Sequence, residues 1–181
     1  MNQSRRRALG VATGVAAAVA GAGLAWRQWR PGSATDDAEA ALWSMQFERP
    51  EGGKLVMAEF RGKPLLINFW ATWCVPCIRE LPALQRFQRE RAAQGWHVLA
   101  LAVDQPVPVL EFIARFKLEL TVALAGVDGL EWQRAMGNDK GGLPFSLVLD
   151  AAGRARQRKL GETTLDDLTR WAAEITPGSS R

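Results

Sequence analysis

Hydrophobic and polar positions change their spacing several times along this 181-residue chain, and each change marks an element. Residues 8–26 are an uncharged run of nineteen, rich in Ala, Gly and Val, behind Arg5-Arg6-Arg7. The run lacks the periodic polar positions of a soluble amphipathic helix. Residues 31–40 are small and polar and read as a linker, ahead of a domain over 41–176 and a tail at 177–181. Inside the domain, 42–47 and 55–60 flank the turn cluster Pro50-Glu51-Gly52-Gly53, which predicts a β-hairpin. The apolar run 65–70 has the length and content of a strand buried on both faces. Residues 76–94 set Ile78, Leu81, Leu84 and Phe87 on one helical side, with Pro82 expected to kink the helix.

A second buried strand is predicted over 96–103, a helix over 109–116, a short strand over 120–124 and a helix over 130–136. Strands at 145–149 and 155–160 form a hairpin around the turn 150–153. Thr164 and Asp167 have the spacing of a capping box opening the last helix, through Trp171 to Ile175. Helical segments between apolar strands predict an α/β fold with helices on both faces of one sheet. Hairpins at both ends make that sheet mixed.

Charge sharpens the reading of the amino end. The net charge is +4, yet residues 1–30 hold five arginines and no acid, which leaves 18 basic against 19 acidic residues elsewhere. No excess of positive charge remains on the domain for nucleic acid, and none is expected as a partner. Residues 1–30 read as a signal peptide or a membrane anchor, placing the domain in the periplasm. Cleaved and anchored forms both fit, the latter with membrane association through residues 8–26. Ser4-Arg5-Arg6-Arg7-Ala8-Leu9 resembles a twin-arginine signal with two departures, Ala8 and Gly10, so twin-arginine and general secretion routes both stay open.

The chemistry lies in Trp73-Cys74-Val75-Pro76-Cys77, which follows a buried strand and opens a helix and contains the only two cysteines. A helix start offers unpaired N–H groups and the positive end of the dipole, which stabilise a thiolate. Cys74 is expected at an exposed edge as the attacking sulfur, and Cys77, one turn in, as the resolving one. Three other readings compete. A static disulfide here would close too small a loop to stabilise much. Zinc would need more ligands than two cysteines and one histidine supply. A copper-binding assembly factor needs only two thiolates but would favour a nearby His or Met, and His97 falls in a strand. No cofactor and no metal are expected.

Residues 68–82, Asn-Phe-Trp-Ala-Thr-Trp-Cys-Val-Pro-Cys-Ile-Arg-Glu-Leu-Pro, resemble the active-site segment of the TlpA/ResA branch of the thioredoxin superfamily, and the likeness runs from about 42 to 175. Gly141-Gly142-Leu143-Pro144 resembles that family's loop with a cis-proline beside the disulfide. The resemblance implies a thioredoxin-like fold with an amino-terminal hairpin and a central α/β insertion between Cys77 and Pro144. It also implies a thiol–disulfide oxidoreductase that reduces client proteins, often in cytochrome c or oxidase assembly, with a membrane electron donor. By the same resemblance Glu80 takes part in thiol chemistry, although its residue type and place also suit a solvated helix charge. Asn68 stands where cytoplasmic thioredoxins carry a buried aspartate. Trp73, Pro76, Leu143 and Pro144 are expected to meet the substrate, Leu143 through a backbone left open for an added strand. Trp70 is expected in the core, His97 in a structural role and Asp104 as a loop cap. A peroxiredoxin-like pattern would need Pro and Thr where the chain has Ile67 and Ala71.

Overall fold

The computed structural model describes residues 34–126 and 129–175. The predicted leader, the first residues of the linker and the tail lie outside them. Seven strands form one mixed sheet: β1 (Gln46–Glu48), β2 (Lys54–Val56), β3 (Leu65–Trp70), β4 (His97–Ala102), β5 (Thr121–Leu124), β6 (Phe145–Leu149) and β7 (Ala155–Leu160). Their order is β2-β1-β5-β4-β3-β6-β7. The strands β3, β4 and β5 run parallel, and β1, β2, β6 and β7 add the antiparallel edges. The hairpins at both ends and the helix-covered centre match the expected architecture.

Five described α-helices connect or cap the strands, α1 (Ala34–Leu42), α2 (Val75–Arg91), α3 (Pro106–Phe116), α4 (Gly129–Ala135) and α5 (Leu165–Glu174), with short 3₁₀ turns at Met57–Phe60 and Ala92–Gln94. Helices α2, α3 and α5 cover one sheet face with Leu84, Phe87, Phe112 and Trp171. The other face is covered by Leu42, Trp43, Met57 and Phe60 and by residues around α4. Between Cys77 and Pro144 lie two strand–helix pairs, β4 with α3 and β5 with α4.

Two elements differ from expectation. The segment read as a linker over 31–40 is helical from Ala34 onward, because Ala38 and Leu42 share one helical side and pack on the sheet. Its Glu39 accepts from the Ala155 N–H at 3.1 Å and pairs with Arg158. Small polar residues disguised an apolar stripe only two residues long. The hairpin's second strand also stops at Val56, since Met57 and Phe60, three apart, both turn inward. The helix α2 runs on through Pro82, whose missing N–H leaves one turn without its backbone bond.

Candidate active site

Strand β3 delivers the chain to the carboxyl edge of the sheet, where Ala71-Thr72-Trp73 leads into α2. Asp104, just beyond β4, accepts from the Thr72 N–H at 2.9 Å and the Thr72 hydroxyl at 2.6 Å. That clamp holds the turn before the cysteines, so Asp104 is the loop cap expected of it. Cys74 is the N-cap of α2, with φ −92° and ψ 100°, and its Sγ accepts from the Cys77 N–H at 3.3 Å. Pro76 sits in the first turn, where a missing N–H removes no helical bond.

The two cysteines form a disulfide with their Cα atoms 5.2 Å apart. Cys77 is fully buried, whereas Cys74 keeps 6% of its surface. The expected asymmetry is present, but Cys74 is less open than the sequence suggested. Its chain neighbours Trp73 and Val75 are 67% and 62% exposed. These two apolar side chains flank Cys74 in the chain and face solvent, while Trp70 is wholly buried in the core.

The Leu143-Pro144 peptide bond is cis. Strand β6 pairs antiparallel with β3 through Phe145 and Phe69, so one step further in register sets Pro144 beside Trp70 at the edge that carries Cys74. Leu143 is half-buried and packs against the apolar clusters of both faces.

Glu80 is buried, not solvated. Its Oε1 accepts from Asn68 Nδ2 at 2.7 Å, and its Oε2 accepts from the Thr163 N–H at 2.5 Å. Burial pushes the Glu80 carboxyl up to about 7, the two hydrogen bonds working against that rise. Nearby Glu162 adds to the rise and Lys159 opposes it. Asn68 faces Ser146 across the β3–β6 ladder and donates to its hydroxyl at 3.2 Å. Ser146 in turn shares a 2.9 Å hydrogen bond with the Thr163 hydroxyl. Neither Ser146 nor Thr163 stands out in the sequence. The available signal was one hydroxyl in the otherwise apolar strand Phe145–Leu149.

His97 begins β4, opposite Leu65, at the end of the sheet away from the cysteines. It stacks edge-on against Phe60, and burial lowers its pKa. Five residues of strand, roughly 16 Å, separate it from the active edge, so the histidine that a copper site would want lies elsewhere. Among the described residues no group of three or more His, Cys, Asp or Glu side chains is placed to hold a metal ion.

A CxxC pair capping a helix at the carboxyl edge of a mixed, helix-covered sheet defines a thioredoxin-fold thiol–disulfide oxidoreductase. Comparisons with known proteins agree: residues 41–172 match the Redoxin family. The thiol-disulfide oxidoreductase ResA of Bacillus thuringiensis subsp. konkukian is 30% identical over 138 residues, covering 70% of this chain and 72% of that protein. ResA of Geobacillus kaustophilus is 32% identical over 122 residues, covering 67% and 68%. A solved thiol:disulfide interchange protein of the thioredoxin family from Chlorobium tepidum superposes with a TM-score of 0.64 at 28% identity, covering 74% of this chain and 93% of that one. The chain belongs to the Redoxin family, among its TlpA/ResA-like members.

Proposed function

We propose that the protein acts outside the cytoplasmic membrane as a reductant of client disulfides, recharged by a membrane electron donor, with cytochrome c or oxidase assembly as its setting. The observation that carries the mechanism is the pairing of a rim-side sulfur, Cys74, with a buried sulfur and a buried carboxyl one helical turn apart, Cys77 and Glu80. In the reduced protein the Cys74 thiolate, held at the helix start, attacks a client disulfide. A mixed disulfide forms and one client thiolate leaves. Glu80 takes the Cys77 proton, and the Cys77 thiolate attacks the Cys74 sulfur. The second client thiolate departs, the Cys74–Cys77 disulfide closes, and two electrons have passed to the client.

Trp73 and Pro76 shape the rim that a client meets, and Leu143 and Pro144 offer the backbone on which its extended segment is laid. The pair Val75-Pro76 puts no positive charge between the sulfurs, which favours a reducing couple well below the value of about −120 mV for a strong oxidant. The deciding experiment is the reduction potential of the couple, and a value near that of the strong oxidant reverses the assigned direction. With limiting iodoacetamide, the reduced protein should be labelled first at Cys74. The variant Cys77→Ala should trap clients that Cys74→Ala does not, and those trapped clients identify the pathway. A fusion of residues 1–40 to a reporter active only after export tests the location, and an inactive reporter removes it.

A further inference from the structure

We infer that Asn68 is a positioning residue for the exchange reaction: its side-chain amide turns between donating to ionised Glu80 and accepting from protonated Glu80, letting the buried carboxyl hold either state. The inference rests on the reading of Glu80 as the proton acceptor of Cys77, and deepens it.

Asn68 is wholly buried in the middle of β3, between β4 and β6. Its Nδ2 divides its hydrogens between Glu80 Oε1 and the Ser146 hydroxyl, while its Oδ1 has no partner. A buried, unpaired amide oxygen costs about 1–3 kcal/mol, and a leucine of similar size would avoid that cost in a strand whose other five residues are apolar. The spare oxygen gains a use once Glu80 is protonated.

When Glu80 is ionised both its oxygens accept, from Asn68 and from the Thr163 N–H. A proton arriving from Cys77 makes one oxygen a donor. The Thr163 N–H has a fixed direction and keeps Oε2 an acceptor, so the proton belongs on Oε1. There it would meet the Asn68 NH₂, donor against donor. A half-turn of the amide presents the unpaired Oδ1 instead. The same turn brings Oδ1 to Ser146, which must now donate. The hydrogen bond between the Ser146 and Thr163 hydroxyls works in either direction, so Ser146 is free to do so. Proton uptake therefore rearranges one amide and two hydroxyls and removes the donor clash, with the unpaired atom of Asn68 becoming Nδ2 in place of Oδ1. The remaining charged groups around the carboxyl, Glu162 and Lys159, come from the end of β7 and the loop after it, and Lys159 is itself paired with Asp167.

The test is an NMR titration of the full, oxidised chain, following the Glu80 carboxyl carbon and the Asn68 side-chain NH₂ together. The Asn68 protons should shift with the Glu80 midpoint between about pH 5 and 9. In Glu80→Gln, which imitates the protonated acid, they should stay at their low-pH position throughout. In Asn68→Leu the Glu80 midpoint should rise by about one pH unit, since a donor to the ionised form is gone, and the pH–rate profile for exchange should move by the same amount. Asn68 protons that stay constant while Glu80 titrates overturn the inference, whether or not Asn68→Leu folds. A normal pH–rate profile in Glu80→Gln would instead remove Glu80 from the reaction, an outcome separate from the Asn68 titration.

Discussion

Leu65, Ile67 and Phe69 of β3 point to one side of the sheet, Leu66, Asn68 and Trp70 to the other, and the two sets meet different surroundings. The first set joins Leu99, Leu101, Phe145, Leu147 and Leu149 in an apolar face, with His97 at its far end against Phe60. The second shares its face with both cysteines, and around Asn68 it opens into a buried polar group made with Glu80, Ser146 and Thr163. One strand thus serves two purposes by parity alone. Its odd residues supply cohesion, and its even residues hold a carboxyl where burial raises its proton affinity.

That division can be broken experimentally. The largest effect belongs to Cys74→Ala, which should abolish disulfide exchange while the fold stands, since the four-residue loop of the disulfide contributes little stability; any residual exchange through Cys77 would reverse the roles of the sulfurs. On the apolar face, Phe69→Ala should cost about 3–5 kcal/mol by denaturant unfolding and leave the Glu80 midpoint in place. A shifted midpoint would show that the faces are not independent. On the polar face the effect depends on pH. Glu80 binds its proton more tightly in the folded protein, at about 7 against an ordinary 4.5, so stability falls as pH rises through that window. The loss totals about 3 kcal/mol above it, at 1.36 kcal/mol per unit. Glu80→Gln should flatten this slope, giving similar unfolding midpoints at pH 5 and 8, and an unchanged slope would place its origin in other groups. The smallest effect is away from both faces. Thr164 accepts from the Asp167 N–H at 3.2 Å while Asp167 accepts from the Thr164 N–H at 3.0 Å, so Thr164→Ala should lower stability by about 1 kcal/mol and leave exchange rates alone.

The strands at 65–70, 145–149 and 155–160 were legible to the residue, because Gly and Pro turns bound apolar or alternating runs there. The CxxC pair and the capping box were equally plain, being local. Less visible was anything decided by packing. The buried side of α2 is set by Cys77, Glu80, Leu84 and Phe87, and Ile78, expected on that side, is only half-buried. A glutamate among arginines carries no sign of burial, since its partners lie 12 and 83 residues away. The start of α3 at Pro106 was set three residues late, although proline suits a first helical turn.

The docking of α1 bears on the order in which the molecule is completed. Trp43 lies so close to the turn between β6 and β7 that a methyl group on Gly153 would come within 2.9 Å of its ring, and Glu39 is held by a backbone N–H 116 residues further on. A nascent chain therefore makes α1 long before the surface that receives it. Until residues 153–158 have emerged, Trp43 and Glu39 lack these partners, and β6 lacks its neighbour β7. Contacts of such long range delay closure until nearly all of the chain is available. A carboxy-terminal truncation ahead of Gly153 should accordingly yield an open, protease-sensitive chain and not a smaller domain.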